Sequence, residues 1–179
     1  MNSLEERKLS SEQVYSGKIL SLRVDKVILP DGREGQREVV DYSGAVAIVP
    51  VTAEREVILV RQFRYAVGET LLEIPAGKIE SGEEPVECAR RELLEETGYR
   101  ADKMEKLCTI FTTPGFTTEK IHIFLATELT CESQSLDEDE FIDVLTVPLD
   151  RAVEMILSGE ICDAKSAVGI FAALAAKKL

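Results

Sequence analysis

Histidine is almost missing from this chain: His122 is the only one in 179 residues. A Ser-His-Asp triad would have to be built on that one ring, and a multi-histidine metal site is impossible. Cysteine is scarce and scattered. Cys88, Cys108, Cys131 and Cys162 form no C-x-x-C pair, so neither a zinc site nor a disulfide scaffold is expected. Positive charge is in deficit: 21 Lys and Arg stand against 33 acids, a net charge of −12 at pH 7. This argues against a nucleic-acid partner, which wants a basic face, and against an anionic membrane. No apolar run approaches the ~20 residues that span a bilayer. The opening MNSLEERKLS is polar, unlike a signal peptide. No repeat or low-complexity tract occurs. The expectation is a soluble protein of a reducing cytoplasm.

What is present is enough apolar material for a packed core, 45% of the chain. Residues 1–10 read as a mobile polar arm. Alternation predicts strands at Lys18–Leu29, Arg37–Tyr42, Val46–Val51, Val57–Phe63 and Thr70–Pro75. PDGRE supplies one turn, and Thr52–Arg55 supplies another. A helix follows from Pro85, suited to a first turn, to Thr97, with Gly98 closing it. Val86, Ala89, Leu93 and Thr97 give that helix an inward stripe. Two more strands (Lys106–Thr112 and Lys120–Glu128), an acidic loop, a short strand Asp143–Val147 and two helices complete the chain. The helices run over Leu149–Leu157 and roughly Ala164–Lys178, the second with Asp163 as N-cap. The order reads as mixed α/β or α+β, not as a regular βαβ repeat.

The helix at Pro85 carries Glu92, Glu95 and Glu96, which share one face at i, i+3 and i+4. Their repulsion makes sense if a hard divalent cation cancels it, since such ions take oxygen ligands. The competing reading is a solvated acidic face, which is what an acidic run on a helix usually is. The wider pattern weighs against it. Gly77, five residues, Glu83, seven residues and then Arg91-Glu92-Leu93-Leu94-Glu95-Glu96-Thr97-Gly98 resembles the Nudix box, the signature of the Nudix hydrolase family. The last position, usually aliphatic, is Tyr99; that departure concerns packing and touches no ligand.

The resemblance implies an α/β/α sandwich with a mixed sheet over about residues 44–179. It implies cleavage of nucleoside diphosphates linked to another moiety, with Mg²⁺ or Mn²⁺. By matching position Glu92 and Glu96 are the principal metal ligands, Glu95 a further one, and the Ala76 carbonyl a backbone ligand. Glu83 and Arg91 become an orienting pair. Pro114, followed by Gly115 and then Glu119, resembles the ADP-ribose pyrophosphatase branch, as does RQFRYAVGETLLEIPAGKIESGE. In that branch an arginine before the box contacts the diphosphate. Strand alternation puts Arg61 and Arg64 on opposite sides, so one of them faces the ligand, and Arg64 is preferred. The alternative for either is a surface ion pair.

In the same branch a glutamate in a loop after the box is the general base, and another two residues on completes the metal site. In LDEDEF these are Glu138 and Glu140, though a shift of one residue exchanges their roles. Glu119 is a rival base, more like a ribose- or phosphate-side contact. The branch also implies that residues 1–43 form a small antiparallel sheet that pairs two subunits into a homodimer. There Arg37 is either lent to the partner's site or is a surface charge. The function implied is hydrolysis of ADP-ribose to AMP and ribose 5-phosphate. The alternatives are a Nudix hydrolase of a nucleotide sugar, flavin dinucleotide or oxidised nucleotide, and a sensor that binds without cleaving.

Overall fold

The computed structural model describes residues 4–136 and 140–176. The strands are β1 (Arg7–Ser16), β2 (Leu20–Ile28), β3 (Glu34–Tyr42), β4 (Ala45–Pro50), β5 (Glu56–Arg64), β6 (Glu69–Glu73), β7 (Ala76–Lys78), β8 (Tyr99–Phe111), β9 (Lys120–Cys131) and β10 (Ile142–Pro148). The helices are α1 (Pro85–Thr97), α2 (Leu149–Ser158) and α3 (Ala164–Ala175). None of them is long and apolar enough to cross a membrane.

The chain divides into two units, Met1–Ser43 with Phe111–Lys120, and Gly44–Ile110 with Ile121–Leu179. In the first, β1, β2 and β3 form an antiparallel sheet in that order. Phe111–Lys120 joins it through β3: the Val40 N–H donates to the Phe116 carbonyl at 2.7 Å, and the Thr118 N–H to the Val40 carbonyl at 3.0 Å. The expected polar arm is corrected here, because Arg7–Ser16 is a strand. Every residue of β1 is exposed. No buried face imposes the alternation by which a strand is recognised; pairing with β2 alone fixes it.

The second unit is built on β4. Its run AVAIVP is apolar at every position, the mark of a strand covered on both faces. Ala47 and Val49 point to one side, where Ile123 and Leu125 of β9 pack with Leu149 and Ala152 of α2 and Ile170 and Ala173 of α3. Val46 and Ile48 point to the other side, against Cys88, Ala89 and Leu93 of α1. The sheet order is β7-β4-β9-β8, with β4 parallel to β9 and antiparallel to β7. A second sheet, β10-β5-β6, is antiparallel. The mixed sheet and the helix layers on its two faces are those expected from the sequence.

Both ends of α1 are as its sequence directs. Pro85 occupies the first turn, and Gly98 closes the helix at φ 70°, its N–H donating to the Leu94 carbonyl. Glycine is required there twice over, since a Cβ would also come within 2.9 Å of the Gln134 backbone nitrogen. The Glu132 N–H donates to the Gly98 carbonyl at 2.7 Å, and the Ser135 N–H to the Glu95 carbonyl at 3.1 Å. The start of the acidic loop is thereby tied to the end of the helix that carries the acids.

Candidate active site

The inward face of α1 is not purely apolar. Beside Cys88, Ala89 and Leu93 it buries two carboxylates, with Glu92 9% and Glu96 3% exposed. Glu95 is half-buried and Glu87 exposed. The expected stripe holds, but the chain buries two of its acids alongside it, against the usual exposure of glutamate.

Each carboxylate is held. The Ala76 N–H donates to Glu96 Oε2 at 3.0 Å, and the Gln134 amide donates to the Glu96 carbonyl. Arg91 Nη1 donates to Glu92 Oε1 at 2.7 Å and to Glu95 Oε2 at 2.9 Å. Its other edge holds Glu83, with Nε donating to Oε1 at 2.9 Å and Nη2 to Oε2 at 3.1 Å. Glu83 also accepts from the Glu80 N–H at 3.0 Å, which ties the glycine-containing loop to the helix. One guanidinium thus holds three carboxylates in place.

Gly77 provides the cradle for Glu92. A Cβ there would stand 1.8 Å from the Glu92 carboxyl carbon and 1.9 and 2.3 Å from its two oxygens. Only a residue without a side chain lets the carboxylate rest on that backbone.

The electrostatics show what is undercompensated. Burial pushes Glu96 up to about 8, with the charges of Glu92 and Glu140 adding to the effect. Burial also raises Glu92, against Arg91. Glu83, gripped by Arg91, falls to about 2. Burial raises Cys88 to about 12, which makes it an inert packing residue. The site therefore gathers negative charge that Arg91 alone does not balance. Among the described residues no three acid, histidine or cysteine side chains stand close enough to form a ready-made cage. The donors are nevertheless all hard oxygens, two of them buried and short of positive charge, and that is the chemistry that suits a hard divalent cation.

A cavity of about 630 Å³ opens on this cluster, lined by Ala76, Gly77, Arg91, Glu92, Glu95 and Glu140 among others. A larger one of about 890 Å³ lies at Val51–Glu56, Tyr99, Lys103 and Thr127–Cys131. None of the buried carboxylates lines it.

The other expected residues divide by unit. Arg64 belongs with the carboxylates, and its charge acts on Glu96. It donates from Nε and Nη2 to Glu73 at 2.8 Å each, and Nη1 has no hydrogen-bond partner among the described residues. Arg61 faces the other way, paired across the sheet with Asp143 at 2.7 Å. Arg37, Gly115 and Glu119 belong to the first unit. Arg37 is paired with Glu6, and Glu119 accepts from the Thr112 hydroxyl at 2.6 Å. Glu138 lies outside the described residues, with Asp137 and Asp139. Sequence reasoning missed Glu73, Lys165 and Gln134. For Glu73 a signal existed: it ends β6, which pairs with the strand that carries Arg64, four residues before Gly77 opens the box.

The chain is similar to known proteins along nearly all of its length. Residues 41–166 match the NUDIX domain model, and residues 6–40 match that of the nucleoside diphosphate sugar hydrolase N-terminal domain. The ADP-ribose pyrophosphatase of Bacillus subtilis (strain 168) is 49% identical over 95% of this chain and 93% of its own. The methanol dehydrogenase activator of Bacillus methanolicus is 42% identical over 93% of this chain and 91% of its own. A solved structure described as an ADP compounds hydrolase superposes with a TM-score of 0.89 at 25% identity, over 99% of this chain and 97% of that one. The family model spans most of the chain and the Bacillus subtilis relative is alike along nearly all of it, so this protein belongs to the Nudix family.

Proposed function

We propose that the protein hydrolyses the diphosphate of ADP-ribose to AMP and ribose 5-phosphate, with Mg²⁺ or Mn²⁺ as cofactor. The observation that carries this is the buried, undercompensated pair of Glu92, resting on the Gly77 cradle, and Glu96 beside it. The likeness to an ADP-ribose pyrophosphatase directs the choice of substrate.

Glu92 and Glu96 would hold the cation, with Glu95, Glu140 and the Ala76 carbonyl completing the oxygen set. When bound, such an ion screens the diphosphate from an acidic protein, polarises phosphorus and lowers the pKa of water. Arg91 keeps the carboxylates in register through its hydrogen bonds to Glu83, Glu92 and Glu95. Arg64, oriented by Glu73, offers Nη1 to a phosphate oxygen, a geometry that suits arginine. Glu138 takes the proton from the attacking water. The water oxygen bonds to one phosphorus, the bridging P–O bond breaks, and the two monophosphates leave. Arg37, lent to the partner's site, Gly115, and Glu119 as a ribose- or phosphate-side contact are the further substrate-binding candidates.

The homodimer expected from the sequence belongs to the proposal. Its support is β1, which exposes Leu9, Val14 and Tyr15 together on a strand with no buried face. The four cysteines are free, as suits a reducing cytoplasm. A second, regulatory reading draws on the likeness to the methanol dehydrogenase activator. Incubation with ADP-ribose and Mg²⁺ tests the first reading by release of AMP. Tight binding of ADP-ribose without AMP would favour the regulatory one.

A further inference from the structure

The four residues Glu73–Ala76 link β6 to the metal-site backbone, and every one of them is tied down. The Glu73 carboxylate, 1% exposed, accepts from Arg64 and from the Lys165 ammonium. The Ile74 N–H donates to Ser166 Oγ at 2.8 Å. Pro75 has no N–H to satisfy, and its carbonyl accepts from the Ile48 N–H at 2.8 Å. The Ala76 N–H donates to Glu96.

Two of these ties come from the first turn of α3, far away in sequence. Asp163, the N-cap, accepts from the Ser166 N–H at 2.9 Å, from the Ser166 hydroxyl at 2.5 Å and from Lys165 Nζ at 3.0 Å. A serine hydroxyl has one proton. Spent on Asp163, it leaves Oγ an obligate acceptor, and the Ile74 N–H fills that role. Ser166 is wholly buried, so no water can substitute. At Glu73, burial opposes ionisation, but bonds from Arg64 and Lys165 outweigh it and keep the carboxylate charged. Arg64 is thus held at two points by an anion that Lys165 itself holds.

We propose that Lys165 and Ser166 are positioning residues for the metal centre: through Glu73 and Ile74 they set the backbone at Ala76 against Glu96 and aim Arg64. This rests on the metal-site reading above and adds α3 to it, a helix that carries no residue of the signature. Among the described residues the hydrogen bonds of both side chains go to Glu73, Ile74 and Asp163 and to none of the carboxylates of α1.

The test is direct binding of Mn²⁺ to the full chain, followed by the electron-spin signal of the free ion with no substrate present. Ser166→Ala and Lys165→Met are each expected to weaken binding by about 10-fold, the lower end for groups that support metal ligands. The Mg²⁺ needed for half-maximal turnover should rise by the same factor, with kcat recovering at saturating metal. Lys165→Arg, which keeps the charge, should stay within about 3-fold of wild type. Ile170→Val, buried on the same helix but outside the network, should lower the melting temperature without moving Mn²⁺ affinity. Folded Ser166→Ala and Lys165→Met proteins that bind Mn²⁺ as tightly as wild type would overturn the proposal. So would an Ile170→Val protein that weakens binding as much as they do. If Ser166→Ala does not fold, Lys165→Met against Lys165→Arg decides. A wild-type protein that binds no Mn²⁺ would instead overturn the metal-site reading itself.

Discussion

Replacing Gly77 by alanine adds one carbon to the middle of the half-buried strand β7 and should abolish the site. The new Cβ would lie 1.8 Å from the carboxyl carbon of Glu92 and 1.9 Å from Oε1. Ordinary contact between such atoms is about 3.5 Å or more. The carboxylate must therefore withdraw by roughly 1.7 Å or more, given that contact distance. That breaks its 2.7 Å bond from Arg91 Nη1. It also removes the carboxylate from a metal whose ligand distances are fixed near about 2.1 Å. Loss of a ligand should cost more than the 10–100-fold typical of a supporting residue, so Mn²⁺ affinity is expected to fall by at least about 100-fold. Stability should respond quite differently. The displaced group is a carboxylate that burial opposes, so expelling it removes an unfavourable term. The melting temperature of the metal-free variant should stay within the roughly 2–4 °C that 1 kcal/mol represents in a chain of this size. Mn²⁺ binding and thermal unfolding of the same preparation check both halves. A folded Gly77→Ala protein with wild-type Mn²⁺ affinity would refute the cradle.

Further outcomes follow from the same geometry. In metal-free protein, burial raises Glu96 from the usual 4.5 to about 8. A folded pKa above the unfolded one gives stability that is complete below 4.5 and lost as pH rises towards 8. With chelator present, the melting temperature should fall between about pH 5 and 8. Glu96→Gln should flatten that slope, and Mg²⁺ should restore the wild type at the upper end; a level profile in chelator would count against a buried, proton-binding Glu96. Glu138→Gln should lower kcat by at least about 100-fold, the low end for a general base, while Mn²⁺ binding stays unchanged. Normal turnover in that variant would move the base elsewhere in the acidic loop. Analytical ultracentrifugation should give twice the 19.8 kDa chain mass; a monomer at working concentrations would remove the dimer from the account.

The sequence made α1 legible to the residue. Pro85, Gly98 and the apolar spacing are local signals, and local signals set helix ends. The turns at PDGRE and Thr52–Arg55 and the apolar run of β4 were legible for the same reason. The hairpin that Thr52–Arg55 suggests is corrected by the structure: β4 and β5 belong to different sheets and share one bridge, Val51 with Val57. β1 was not, because a strand exposed along its whole length has no alternation to display. Of the site, the signature located the carboxylates but not their burial. A patterned helix shows which residues share a face, whereas burial depends on what the sheet brings against that face. The pairing of Glu73 with Lys165 was invisible for a related reason. Glu73 and Lys165 are 92 positions apart, and nothing in either segment marks the other as its partner. Arg91 lay in between: its place in the box suggested Glu83, while its bonds to Glu92 and Glu95 needed coordinates.

The central claim is that Glu92 and Glu96 hold the cation with which ADP-ribose is cleaved. Products formed from ADP-ribose in ¹⁸O-labelled water, by wild type and by the Glu92→Gln/Glu96→Gln double variant, test it most directly. The account predicts AMP and ribose 5-phosphate from the wild type, with one labelled oxygen on one of the two phosphates, and no release from the double variant. Turnover that survives removal of both carboxylates would contradict it.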